Sequence, residues 1–261
     1  MGLRKFFKSV TKIFKPIIKI VSKAISWLAP KPPELPDFGI SEFDDFEKGI
    51  LVNKQSNDAS IPVIYGTRLV GGTRVFLQTR GTDNNFLYIA LVLCEGEING
   101  ITEIRVDDKV VTFDGSMADN TQRNVASSDS NFYKDAVSYI TIEPHFGSDS
   151  QSASTLLSEL SNWGTNHRLR GVCYLALKFK WNQDIFGSIP KVQAIVQGRK
   201  ISTFDGSSNE TTNQFSSNPA FCLLDYLRNE RFGKGLALTD IDIPSFFQAS
   251  QVCETQVTPF S

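Results

Sequence analysis

The run FLYIALVLC, residues 86–94, carries no charge and is closed by turn-forming residues on both sides, DNN before it and EGEING after it. An apolar run of this length between turns reads as a strand buried on both faces; periodicity alone leaves a helix as the alternative. The segments around it favour a β-rich body. IPVIYGTRLVGGTRVFLQTRG, starting at Ile61, alternates short β-branched runs with Gly71, Gly72 and Gly81, the spacing of a meander or hairpin. INGITEIRVDDKVVTFDG places Ile101, Ile104 and Val106 among polar neighbours and turns at Asp107-Asp108, a second hairpin. SYITIEPHFG, RGVCYLALKFKW and IPKVQAIVQGRKI supply three further strands, the middle one with Leu175, Leu177 and Phe179 on one face.

Helices are specified elsewhere. SASTLLSELSNWG reads as a short helix with Ser152 or Ser154 as N-cap and Gly164 near its end. Near the C-terminus Asn218 caps, Pro219 takes the first helical position, AFCLLDYLRNERF supplies the apolar face, and Gly233 and Gly235 stop the helix. LTDIDIPSFFQASQVCET begins another, with Asp242 as N-cap. Residues 203–218 and 116–135 are polar and poor in aliphatics, and read as loops.

The N-terminus differs in kind. Residues 1–31 hold eight Lys or Arg and no acid. On a helix of 3.6 residues per turn Lys8, Lys12, Lys15, Lys19 and Lys23 share one face, and Phe6, Val10, Ile13, Phe14, Ile17, Val21 and Leu28 share the opposite one. Pro16 predicts a kink; Pro30, Pro32 and Pro33 end the helix. Such a helix docks its apolar face into a groove of its own assembly or, alternatively, lies on an anionic membrane. Lysines interrupt every apolar run, which argues against a secretory signal peptide or a spanning helix. Taking those eight cations from the 27 in the chain leaves 19 basic against 28 acidic residues, about −9 for the rest, and no nucleic-acid surface is expected there.

The expected organisation is a basic amphipathic helix over 1–31, an acidic extended connector over 32–60, a β-rich body over 61–203 with a polar insertion near 116–135, a polar loop over 204–217 and a helical element over 218–261. The fold class is α+β, mainly β. Cys94, Cys173, Cys222 and Cys253 lie in apolar settings without ligand spacing and read as small buried hydrophobes of a protein made in a reducing cytosol. His145 and His167 read as ordinary loop residues. The carboxylate pairs Glu95/Glu97 and Asp240/Asp242 read as turn and capping residues, and no triad or phosphate-cradling loop can be assembled. No catalytic residue, metal site or cofactor is expected, and the chain reads as a non-enzyme.

The segment NPAFCLLDYLRNERFGKGLALTDIDIPSFFQASQVC resembles the helical element of the tip attachment protein J family, the central tail hub of long-tailed phages such as lambda. The positions that carry the resemblance are Asn218, Ala220, Phe221, Asp225, Arg231, Phe232, Gly233, Gly235, Asp242 and Cys253. YIALVLCEGEINGITEIRVDDKVV resembles the family's opening strand and its Glu-Gly-x-Ile-x-Gly turn, through Glu95, Gly96, Ile98 and Gly100. Gly96 and Gly100 are expected to take positive φ on the two sides of that turn, with Glu95 and Glu97 solvated. IPKVQAIVQGRKI and IPVIYGTRLVGG resemble further hub strands, so the likeness spans residues 61–254. It implies a structural virion protein of tail-hub β-domains: a homotrimer at the tail tip, assembled in the host cytoplasm. That protein joins tube to tip, closes the channel and takes part in host attachment and DNA ejection. Implied partners are the distal tail protein, other tail-tip proteins and the tape-measure protein, with the host envelope possible and no sequence-specific nucleic acid. The 261 residues hold no counterpart of the fibre domains that follow the hub in that family, which leaves open a short variant, one piece of a hub split between chains or part of a longer protein; the basic N-terminal helix is no part of the family's pattern. The rival readings are a membrane-active tail protein and a tail-tip carbohydrate-active enzyme.

Overall fold

The computed structural model describes residue 53 and residues 60–255. The amphipathic helix expected over 1–31, with its apolar and basic faces, and nearly all of the 32–60 connector lie outside the described residues.

Twelve strands are present among the described residues: β1 (Thr67–Val70), β2 (Thr73–Arg80), β3 (Phe86–Glu95), β4 (Ile98–Val106), β5 (Lys109–Val110), β6 (Arg123–Asn124), β7 (Tyr133–Lys134), β8 (Val137–Ser138), β9 (Ile140–His145), β10 (Val172–Lys180), β11 (Val192–Phe204) and β12 (Glu210–Phe215). Two helices follow, α1 (Pro219–Arg228) and α2 (Ile243–Glu254). One sheet runs β1-β11-β4-β5, with β12 also paired to β11. The second runs β2-β3-β10-β9-β6, and β7-β8 form a small hairpin. The pairings are antiparallel throughout these sheets.

The apolar run over residues 86–94 is β3, flanked by β2 and β10. Its odd-numbered side chains Leu87, Ile89, Leu91 and Leu93 join Leu175, Leu177 and Phe179 of β10, Ile98 and Ile104 of β4 and Val192, Ala194 and Val196 of β11 in one core between the sheets. Its even-numbered side chains Tyr88, Ala90 and Val92 face the other way, with Tyr174 and Ala176, under Leu156, Leu157, Leu160 and Trp163. The run is continuous because both faces are covered, each large side chain adding roughly 1.5–3 kcal/mol by its burial.

Four expectations change. The segment beginning at Ile61 does not form a hairpin: β1 pairs with β11 and β2 with β3, so Gly71-Gly72 is a crossover between sheets. Gly72 has φ +74°, and a Cβ there would lie 2.5 Å from the Val92 carbonyl oxygen, so the crossing requires glycine. The stretch after Thr203 is not all loop, since Glu210–Phe215 turns back on β11 as β12, an exposed strand whose polar composition hides it. SASTLLSELSNWG forms only a 3-10 turn at Leu157–Glu159, with Ser154 Oγ accepting from the Leu157 amide at 3.1 Å. Cys94 and Cys173 are buried neighbours in register, but Cys222 is half-buried and Cys253 exposed.

Asp107 and Asp108 both take left-handed φ at the β4-β5 turn, as the second hairpin requires. Among the described residues no helix is long and apolar enough to cross a membrane.

Candidate functional site

Residues far apart in sequence meet where the helical element joins the end of the first sheet. The approach begins with β11, whose thirteen residues run past β4 and carry Arg199 and Lys200 beyond the core. Residues 62–64 lie alongside: the Pro62 carbonyl accepts from the Glu95 amide at 2.9 Å and the Ile64 carbonyl from the Arg199 amide at 2.8 Å. Gly198 lets this crossing close up, because a Cβ on it would lie 2.2 Å from the Ile64 oxygen.

Asp225, on α1, is the hub of the contact. It accepts a hydrogen bond from the Tyr65 hydroxyl at 2.6 Å and one from Arg199 Nε at 3.1 Å. Burial, followed by the Asp225 carboxylate it donates to, drives the Tyr65 phenol far above its ordinary value, so it stays a donor at any physiological pH. The Arg199 guanidinium also lies over the Phe232 ring at 5.4 Å. In the loop after α1, Arg231 Nε meets Glu95 Oε1 at 2.7 Å, and on β11 Lys200 Nζ meets Glu97 Oε1 at 2.6 Å.

The loop after α1 is folded to present these groups. Asn229 Oδ1 accepts from the Arg231 and Phe232 amides at 2.9 and 3.2 Å. Its carbonyl accepts from Gly233 and Gly235, while Lys234 and Leu236 donate to the Tyr226 and Leu227 carbonyls. These bonds satisfy the free carbonyls at the end of α1. Gly233 lies so close that a Cβ would sit 1.7 Å from the Tyr226 oxygen. At the start of α1, Asn218 Oδ1 accepts from the Ala220 amide at 3.1 Å, while its Nδ2 donates to the Ser250 carbonyl at 2.9 Å and to Glu254 Oε1 at 3.1 Å, tying α1 to α2. Ala220 and Phe221 are buried, Phe221 in a cluster with Ile201, Phe204, Leu224 and Ile243.

The structure therefore brings Glu95, Gly96, Asp225, Arg231 and Phe232 to one junction, with Asn218, Gly233 and Gly235 shaping the element that carries three of them. Gly96 takes φ +88°, and a Cβ there would meet Arg199 Nη1 at 2.7 Å. Gly100 differs from expectation: it lies inside β4 opposite Gln197, without positive φ, so a single glycine makes the reversal. Glu95 is not solvated either; its side chain is 17% exposed under Arg231. Asp242 stands at the N-cap position of α2, but its side chain makes no bond to the helix amides and accepts instead from the Ser245 hydroxyl. Tyr65, Arg199 and Asn229 went unnoticed in the sequence. Tyr65 and Arg199 sit within segments that carry the resemblance, and a lone aromatic or basic residue at a strand end gives no periodic signal.

His145 also departs from expectation. It is fully buried at the end of β9, stacked on Tyr174 at 4.3 Å, with Nε2 3.3 Å from Glu143 Oε1. Glu143, equally buried, accepts from the Leu156 and Thr155 amides and from the Ser154 and Thr155 hydroxyls. Burial raises its carboxyl, but the His145 imidazole and these donors outweigh it and hold the pKa at about 2. This arrangement pins the 149–171 segment onto β9 and β10. Asn53 is a second such anchor: it pairs its amide with both backbone groups of Val192, at 2.6 and 2.7 Å, donates to the Gly71 carbonyl and accepts from Arg74 at 3.3 Å.

The acids Glu95 and Glu97 each face a different cation rather than each other. Among the described residues no group of three His, Cys, Asp or Glu side chains is placed to hold a metal ion. What the junction does chemically is bind a helical element to a β body through charge-assisted hydrogen bonds.

No family model matches the chain. A chain of the solved structure "Virion of native gene transfer agent (GTA) particle" superposes with a TM-score of 0.40 and 16% identity, covering 76% of this chain and 39% of that one. By sequence the chain is similar to the baseplate hub protein pb3 of Escherichia phage T5, at 22% identity over 233 aligned residues, covering 74% of this chain and 24% of that protein, so it spans about a quarter of the length of the relative it matches.

Proposed function

We propose that the chain is a structural hub protein of a phage-type tail, acting by packing and conformational gating rather than by making bonds. The observation that carries this reading is the junction: the Glu-Gly turn after β3 and the Asp, Arg-Phe-Gly positions of the helical element, separated by more than a hundred residues, lock together as one interface. The similarity to pb3, itself a baseplate hub protein, supports the same reading. In the fuller form implied by the J-family likeness, three copies surround the tail axis, join tube to tip beside the distal tail and tape-measure proteins, and close the channel until ejection. Residues 1–31 then dock Phe6, Ile13, Ile17 and Val21 against a neighbouring tail protein.

Two measurements test this. Light scattering on the purified full chain is expected to give a mass near 87 kDa, three times 29.0 kDa. Immunogold labelling of the natural particle is expected to mark the tail end. Absence of the chain from purified particles overturns the reading, and a monomer that persists within the assembled particle overturns the trimer. Ile13→Asp with Ile17→Asp is expected to block assembly while leaving the melting temperature of the body unchanged.

A further inference from the structure

Away from the junction, the segment that covers the outer face of the second sheet carries a cleft of about 650 Å³. Among its lining residues are Ser150, Ser152, Ser158 and Thr165, with Arg168 and Arg170. We propose that this cleft binds an acidic saccharide, a polyhydroxylated ring bearing a carboxylate or a phosphate.

The walls are fixed by buried polar groups. Gln151, 1% exposed, donates through Nε2 to the carbonyls of Arg168 and Leu169 at 2.9 Å and of Val172 at 3.2 Å, and accepts from the Gly147 amide at 2.8 Å. One side chain thus staples the 147–151 turn to the 168–172 turn. Glu143 holds the other wall through Ser154, Thr155 and Leu156. A site held this way loses little freedom on binding.

The charge balance identifies the ligand. The body is acidic, yet neither arginine here is neutralised among the described residues: Arg168 Nε donates only to the Thr165 carbonyl at 2.8 Å, and Arg170 is exposed and without a partner. The carboxylate on the cleft wall, Glu159, is already satisfied by Lys178 at 2.8 Å and the Tyr88 hydroxyl at 2.6 Å. Guanidinium groups match a carboxylate or phosphate in a bidentate fork, and the serine and threonine hydroxyls match the neighbouring hydroxyls of a sugar ring. The volume falls within the range of small-molecule sites, enough for about one or two sugar units. An acidic peptide offers the charge but not the hydroxyls.

Calorimetric titration of the full chain with a glucuronic-acid disaccharide tests this, with glucose-1-phosphate, maltose and hexaglutamate as comparisons. Both anionic sugars are expected to bind, more weakly as salt rises, and maltose is not. Arg168→Gln and Arg170→Gln are each expected to weaken binding about tenfold, whereas Arg68→Gln, on the other sheet, leaves it unchanged. The Arg170 side chain makes no hydrogen bond or ion pair among the described residues, so its variant is expected to stay folded, which a melting curve verifies. Vesicles bearing a sialylated glycolipid, compared with phosphatidylglycerol vesicles, separate a lipid-borne saccharide from a bare anionic surface. Absence of binding by the sugars, insensitivity to both arginine variants, or equal capture of hexaglutamate or phosphatidylglycerol overturns the proposal. Failure here leaves the hub reading intact, since that reading rests on the junction and is tested separately by particle location and mass.

Discussion

Glu143 shows how one side chain fixes a layer of this protein. It is 1% exposed and stays ionised because four donors from residues 154–156 and the His145 imidazole converge on it. The folded-state pKa of about 2 lies below the ordinary 4.5, so the stability it contributes is full above about pH 4.5 and is lost as pH falls toward 2. The order of magnitude is roughly 3 kcal/mol, at about 1.4 kcal/mol per pKa unit. Glu143→Gln is expected to lower the melting temperature at pH 7 and to flatten the loss of stability between pH 5 and 2, as read by thermal melts across pH. An unchanged acid limb in the variant would show that other carboxylates govern the transition. Nothing local in the sequence marks this residue: EPH lies at a strand end, where a buried Glu and His look the same as solvated ones. Burial there comes from the 149–171 segment folding over the sheet, a long-range event outside any local pattern.

The start of α1, by contrast, was legible. Asn218 and Pro219 mark it through local backbone chemistry that does not depend on the rest of the fold, but the helix stops at Arg228, and residues 229–232, expected to be helical up to the glycines, form the loop held by Asn229 instead. Strand existence was also legible for β3, β4, β9, β10 and β11, whose alternation or length exceeds what a loop tolerates. Strand pairing was not. β1 and β2 are separated by only two glycines, yet lie in different sheets, because Leu69 and Val70 find partners on β11 rather than on their sequence neighbour. Asn218 shows what the ends are worth. Asn218→Ala removes an N-cap, at about 1 kcal/mol, and also the bonds that tie it to the Ser250 carbonyl and Glu254 of α2, at about 0.5–1.5 kcal/mol each. Asn218→Ser keeps the cap but not the reach to α2, so it is expected to recover only part of the loss. Denaturant unfolding of the two variants separates these contributions; equal losses would mean that the link to α2 adds nothing.

At the scale of the whole molecule the question is whether the helical element unfolds with the β body or separately. Its connection has two unequal parts. Arg231 is 78% exposed over Glu95, so that pair is screened and worth well under 1 kcal/mol. Asp225 and Arg199, at 15% and 25% exposure, are shielded from water, and Tyr65 completes the set. Removing the charge there leaves a guanidinium poorly compensated and costs about 2–3 kcal/mol. Arg231→Ala is therefore expected to change the midpoint of unfolding little, and Asp225→Asn to change it clearly. Hydrogen exchange distinguishes the two architectures. If the junction is the hinge on which the element is mounted, Asp225→Asn accelerates exchange in residues 219–254 while β3 and β10 keep their protection. Uniform acceleration through both sheets would instead mean that body and helices form one cooperative unit, with the junction part of its core rather than a place where the molecule can move.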